Sequence, residues 1–322
     1  MIEKSFSDIW WLLIVFALVS YFIGSVNFSI IISRSKGRDI RNIGSGNPGM
    51  MNMSRNFGLK TGVAILLLDM VKGGLPTLVG YLAFKNFLLE NTTFVLSDMT
   101  KYLCGFFAVL GHIFPFYLKF KGGKGIAATI GVFVVANPIY GIISGLCGLA
   151  FILITSMGSM GSLIAVTPPA IAAEIHFYVT YIYNDSEGFM PPSSNDMMIA
   201  ILLSIFFVLG ICCLTWVAHY ANIERLITGD EHVTSWSQMI KNYKKKLKQK
   251  RAEKKEEAKA NAGSGETANI SASGSANLNE DGSETGSETS AIVSGEDKFA
   301  DTGKSEDNGS GEKKDSGEDN DL

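Results

Sequence analysis

The sequence predicts an all-α, polytopic membrane protein of seven transmembrane helices followed by a disordered C-terminal tail. Three observations carry that prediction. Apolar runs of about 20 residues, enough helix to cross a bilayer, recur as far as Ala218 with short polar breaks. Beyond Lys241 large apolar residues are sparse. Basic loops recur between the runs, and the excess of Lys and Arg on cytoplasmic loops requires even numbers of spans between them.

Whole-chain averages conceal the division. Mean hydropathy is +0.21 and formal charge −3. Residues 256–322 nevertheless hold 17 of the 31 acids and only 5 of the 28 bases. Residues 1–255 keep 23 bases against 14 acids, a net of +9. The part able to fold is therefore basic, and its partners are anions: lipid headgroups, phosphates or nucleic acid. Three regions follow: an integral membrane domain (1–240), a basic juxtamembrane segment (241–255) drawn to anionic lipid, and an acidic Gly/Ser-rich tail (256–322). The tail has too little apolar surface to offset its ordering entropy.

The first span is Ile9–Ser33, retained in the mature chain because no small-x-small cleavage site closely follows it. Thr61–Phe84 and Met99–Leu118 come next. Ile126–Thr155 is long for one span, and Asn137–Pro138 interrupts it. The residue before proline avoids the helical region, so a break is expected there. Ser162–Tyr181 and Met197–Ala218 complete the set. Splitting at Asn137 places four spans between the lysines of 119–124 and the basic tail; not splitting places three. Parity selects the split and gives seven spans in a multi-pass protein of the cell membrane, with the amino end outside and the carboxyl end cytoplasmic. Ile126–Ala136 is too short to cross alone and enters only partway.

Cys104, Cys147, Cys212 and Cys213 all lie in apolar runs without C-x-x-C spacing. They read as small buried hydrophobes. No metal-ligand cluster is present, and no cofactor or metal is expected.

Four polar, glycine-bearing stretches fall at cytoplasmic span ends under this topology: "DIRNIGSGNPGMMNMSRNFG" (39–58), "KFKGGKG" (119–125), "TSMGSMGS" (155–162) and "HYANIERLITGDE" (219–231). In the first, Gly44, Gly46 and Gly49 permit positive φ or close approach to a ligand. Ser45, Asn47 and Asn52 offer hydrogen bonds, and Arg41 and Arg55 can fork onto phosphate oxygens. Arg34, Lys36 and Arg38 read as topogenic charges. In the second, Gly122, Gly123 and Gly125 around Lys124 precede a helix and form an expected anion nest. G-x-x-x-x-G-K-[ST] is absent, so nucleotide binding is not indicated, and no nucleic acid partner is expected. His219, Asn222 and Arg225 share a helical face. His219 is the expected proton acceptor, while an interfacial snorkelling role competes for Arg225. His112, inside a span, is expected to be structural. Asp69 and Lys72 are expected to pair within the bundle.

"GSVNFS", "DIRNIGSGNPGMMNMSRNFG", "LLLDMVKG", "GHIFPFYLKFKGGKG" and "HYANIERLITGDE" resemble, in order, the signatures of the bacterial acyl-phosphate:glycerol-3-phosphate acyltransferase family, over about Phe16–Glu231. The resemblance implies a seven-helix enzyme with a cytoplasmic site. It implies transfer of an acyl group from acyl phosphate to the 1-hydroxyl of glycerol 3-phosphate, making lysophosphatidic acid for phospholipid biosynthesis. It implies membrane lipids and an acyl-phosphate-producing phosphotransacylase as further partners. Its functional residues correspond to Ser45, Arg55, Lys124 with its glycines, Ser159, His219 and Asn222. Met50 and Met51 stand where the family usually has Ala-Thr, and Ser156 and Ala218 where it has arginines, so the resemblance implies no hydroxyl or guanidinium contact at those positions. The alternative reading is a transporter for a phosphorylated metabolite. Against it, the polar residues gather at one side and no repeat is visible.

Overall fold

The computed structural model describes residues 1–184, 188–189, 194–228, 243–245 and 247–256. It divides the chain into a unit spanning Met1–Lys259 and a second, Ala260–Leu322. The second unit, and with it nearly all of the acidic tail expected to be disordered, lies outside the described residues. In the basic segment, 243–245 and 247–255 are helical and mostly exposed.

The first unit is a helical bundle: α1 (Phe6–Ser25), α2 (Phe28–Ser35), α3 (Met50–Phe57), α4 (Leu59–Phe84), α5 (Leu96–Ile113), α6 (Ile126–Ala136), α7 (Pro138–Thr155), α8 (Gly158–Tyr181), α9 (Asn195–Ala218) and α10 (Tyr220–Thr228). Two short strands, β1 (Ile2–Lys4) and β2 (Phe87–Leu89), pair in parallel at the end of the bundle away from the glycine-rich loops. Tyr183–Asn184 and Gly188–Phe189 form an antiparallel pair there. Among the described residues, six segments are long and apolar enough to cross a membrane: Phe6–Ser35, Leu59–Phe84, Leu96–Leu118, Pro138–Thr155, Gly158–Tyr181 and Asn195–Ala218. Ile126–Ala136 is apolar but shorter. At 1.5 Å per residue its 11 residues rise only about 16 Å, and Asn137 at its end donates to the Tyr102 hydroxyl of α5 at 2.7 Å. The expected break at Asn137–Pro138 is present, with proline opening α7.

α5 is the central and most buried long helix, packed against α1, α4, α6 and α9. The outer faces carry exposed Leu67, Val71, Leu146 and Leu202. Such an apolar exterior suits hydrocarbon rather than water. Small residues let backbones approach where helices cross, as in other membrane bundles. A Cβ on Gly73 would overlap the Ala128 carbonyl of α6, and one on Gly131 the Met70 carbonyl of α4. In α8, Pro168 and Pro169 remove the N–H partners of the Ile164 and Ala165 carbonyls. Ser144 of α7 donates its hydroxyl to both carbonyls, at 2.8 and 3.0 Å.

Two expectations need correction. The first span is not one continuous helix: it breaks at Val26–Asn27. Asn27 caps α2, accepting from the Ile30 N–H at 3.1 Å, and the Tyr117 hydroxyl donates to the Ser25 carbonyl of the break. An Asn in an apolar run was the available signal. The cysteines are not uniformly buried: Cys104 is, but Cys147 and Cys213 are exposed on the outer surface of the bundle.

Candidate active site

The first loop is built around Asn52. Its buried side chain donates to the Ile43 carbonyl at 2.9 Å and accepts from the Ser45 N–H at 3.3 Å and from Asn56 Nδ2 at 3.0 Å. This corrects its expected role as a ligand contact: the amide is consumed in holding the loop. Gly44 and Gly46 adopt φ of 61° and 69°, and a Cβ on Gly44 would overlap Asn52 Oδ1. Ser45 and Arg55 are exposed, and Asn47 is half-buried. Asp39 accepts from Arg41 at 2.7 Å and from Arg34 at 3.1 Å. The Arg41 hydrogen bond, with Arg34 assisting, holds its carboxyl well below the usual carboxylate range.

The second loop also departs from expectation. The Gly122 and Gly123 amides do not face a ligand: they donate to the Ile113 and His112 carbonyls at 3.0 and 3.1 Å. Their lack of a side chain serves close approach instead, since a Cβ at either position would overlap His112. Gly125, at φ 83°, caps α6, whose first-turn N–H groups carry the helix's partial positive charge. Lys124 between them is half-buried.

The third and fourth stretches meet by hydrogen bonds. Asn222 Nδ2 donates to Ser159 Oγ at 2.7 Å, and Arg225 donates to Asn222 Oδ1. His219 is 3% exposed, and its Nδ1 lies 2.8 Å from the Thr215 carbonyl. A carbonyl only accepts, so Nδ1 carries the proton, and in the neutral ring Nε2 carries the lone pair.

Packing joins all four stretches. Met51 of α3 lies against Gly158, where a Cβ would come within 3.0 Å of its sulfur. Leu118 packs on the Ile30–Ile40–Met53–Ile65 cluster. A Cβ on Gly125 would stand 3.4 Å from Thr215 Cγ2. Thr215 was not singled out from sequence, although a hydroxyl residue four before a helix-end histidine was a visible signal.

The KGGKG loop sits deeper than a span end at the membrane face. His112 Nδ1 is 3.9 Å from Asp69, the eleventh residue of α4. Asp69 pairs with Lys72 at 2.9 Å, and Lys72 also donates to the Val26 carbonyl at 2.8 Å. α4 thus runs about ten residues, roughly 15 Å, past the level at which α1 and α5 stop. The KGGKG loop thus lies level with the middle of α4, and the start of α4 and α3, which packs on it, extend beyond that level.

Basic, glycine-bearing loops gathered at one end of an apolar bundle have relatives. The family model described as "Glycerol-3-phosphate acyltransferase" matches residues 14–229. The chain belongs to the glycerol-3-phosphate acyltransferase family. A glycerol-3-phosphate acyltransferase of Mycoplasma mobile is 35% identical over 238 residues, covering 71% of this chain and 94% of the relative. One of Aquifex aeolicus is 33% identical over 220 residues, covering 68% and 96%. Among solved structures, PlsY (YgiH), an integral membrane glycerol 3-phosphate acyltransferase, is similar in its glycerol 3-phosphate form. The TM-score is 0.55 at 29% identity, covering 71% of this chain and 98% of that one. A second structure of the same protein, in the lysophosphatidic acid form, has a TM-score of 0.54. The chain is accordingly an integral membrane acyltransferase, and its family acts on glycerol 3-phosphate. Among its described residues no group of three or more His, Cys, Asp or Glu is placed to hold a metal ion.

Proposed function

We propose that this acyltransferase takes its acyl group from acyl phosphate and delivers it to the 1-hydroxyl of glycerol 3-phosphate, releasing inorganic phosphate and lysophosphatidic acid. The observation that carries this reading is the Asn222–Ser159 hydrogen bond, with His219 one turn before Asn222 and bonded to Thr215, which packs beside Gly125 at the start of α6. The mixed anhydride brings its own leaving group, so the protein's task is approximation of two phosphates and orientation of one hydroxyl.

In the step, the hydroxyl oxygen attacks the acyl carbonyl carbon. A new ester C–O bond forms, the anhydride C–O bond breaks, and the electron pair leaves with phosphate. The hydroxyl proton passes to His219 Nε2, or to a phosphate oxygen of the substrates. Lys124, Arg55 and the first-turn N–H groups of α6 offset the charge that gathers on the phosphates. Ser45, with Gly44, Gly46 and Asn47, offers the first loop's contacts to the phosphates. Asn222 and Ser159 orient the second substrate, and Arg225 holds Asn222. Neither G-x-S-x-G nor an acyl-serine step is required.

The parity argument supports seven spans with the site cytoplasmic and the amino end outside. A phosphotransacylase that makes acyl phosphate is the fitting upstream partner. The test is purified protein incubated with glycerol 3-phosphate and, separately, acyl phosphate, acyl-CoA or acyl carrier protein, with lipids read by mass spectrometry. Lysophosphatidic acid from acyl phosphate is expected; a preference for either thioester overturns the donor assignment. Glycerol 3-phosphate uptake into vesicles without acyl product would instead favour a transporter. Removal of 256–322 is expected to leave turnover intact, which a tail-dependent scaffold would not survive.

A further inference from the structure

The buried Asp69–Lys72 ion pair has no part in the acyl-transfer step, yet it lies beneath the KGGKG loop. Both side chains are almost fully buried, at 5% and 3% exposure. An ion pair in a helical bundle interior is expensive and needs every partner satisfied. Lys72 meets this through Asp69 and the Val26 carbonyl. Asp69 Oδ1 has a second neighbour, His112 Nδ1, at 3.9 Å. The opposite edge of that imidazole meets the loop: a Cβ on Gly123 would overlap Nε2, and Cε1 and Cδ2 stand 3.1 Å from the same point. The Gly123 and Gly122 amides close the arrangement on the His112 and Ile113 carbonyls.

We propose that His112 is a positioning residue: its buried ring stands between the Asp69–Lys72 pair and the loop, presses with one edge on Gly123 and so sets where Lys124 and the first turn of α6 stand. The proposal rests on the functional reading above only insofar as that loop holds a phosphate. A rigid planar spacer with two χ angles transmits position; a flexible chain of equal length does not.

Two conservative variants divide the ring. In His112→Asn the amide falls near Nδ1 and keeps the edge toward Asp69 but loses the edge toward Gly123. In His112→Gln the amide falls near Nε2 and reaches the loop without the edge toward Asp69. Both are expected to raise KM for one of the two phosphate substrates about tenfold while kcat stays within about threefold, as for misplacement of a binding group rather than loss of a reacting one. Gly123→Ala, whose Cβ would force the loop and the ring edge apart while leaving the imidazole and the ion pair chemically intact, should reproduce the same selective KM change, and the double variant with His112→Asn should be no worse than the worse single.

Hydrogen–deuterium exchange gives a readout independent of donor identity. The peptide carrying the Gly122 and Gly123 amides should exchange about tenfold faster in His112→Asn, with the α1 and α9 peptides unchanged. Unchanged KM values with unchanged loop exchange overturn the proposal. So does a global rise in exchange with kcat and both KM values worsening together, since that describes a merely structural histidine. Should His112→Asn fail to fold, Gly123→Ala decides alone: normal KM values overturn the proposal, and a selective rise supports it. If the wild-type protein makes no product from acyl phosphate, the functional reading fails, while local loop exchange still judges the histidine.

Discussion

Asn222 donates from Nδ2 to the hydroxyl of Ser159 across 2.7 Å, and this bond ties α10 to the first turn of α8. The two residues are 63 apart in sequence. Arg225 grips the other side of the same amide. An amide fixed at both ends aims its remaining lone pair and N–H at a defined point, the property required for orienting a hydroxyl.

Coupling between these two residues is the first prediction. Asn222→Ala and Ser159→Ala should each lower kcat/KM by about 100-fold, and the double variant should be no worse than the poorer single. Steady-state kinetics on the four proteins measures it. Additive losses would show that the two act separately.

His219→Gln tests the proton acceptor. With Nδ1 bonded to the Thr215 carbonyl, the neutral ring presents Nε2 as a base, and protonation removes that capacity. Turnover of the wild type should therefore fall toward acid pH. In the variant, turnover should drop by about 100-fold and lose that acid limb. Full turnover with an unaltered pH profile would pass the role to a substrate phosphate.

The Asp69–Lys72 pair should behave as buried charges do. Lys72→Met alone leaves a buried carboxylate near His112 and should cost about 3–5 kcal/mol, whereas Asp69→Asn with Lys72→Met should cost markedly less. Thermal unfolding in detergent, followed by tryptophan fluorescence, compares them. Equal losses would mean that the charges are hydrated in the folded protein.

Ser144→Ala removes the hydroxyl that serves the two carbonyls freed by Pro168 and Pro169. A loss of about 1 kcal/mol is expected, recovered if Pro168 is also replaced by Ala. The midpoint of thermal unfolding reports both.

Asp39 gives a pH prediction. Its native carboxyl is held below the ordinary range, chiefly by the Arg41 hydrogen bond. A depressed carboxylate contributes stability that is fully present above the unfolded value, near 3.9, and is lost as pH falls toward the native one. Exchange of the 39–58 loop should therefore quicken as pH drops below about 4, beyond the intrinsic change. Asp39→Asn should show fast loop exchange at neutral pH and no such acid dependence.

Much of this protein is determined by local patterning. Apolar length marks the long helices, Asn137–Pro138 the break before α7, and the four glycine-bearing stretches the end of the bundle that holds the site. These are properties of one span or one loop at a time. Tertiary structure decided what each polar group does, because hydrogen-bond capacity is spent on whichever partner packing brings near. Asn52 spends its amide inside its own loop, and Gly122 and Gly123 spend their N–H groups on the carbonyls at the end of α5. The Asp69–Lys72 pair is legible as a pair, but its place beneath the KGGKG loop depends on α5 stopping level with the middle of α4. Helix lengths alone do not fix that stagger; the close crossing of α4 and α5 at Gly80, where a Cβ would overlap the Thr100 carbonyl, does, because backbones can approach so closely only where side chains are absent.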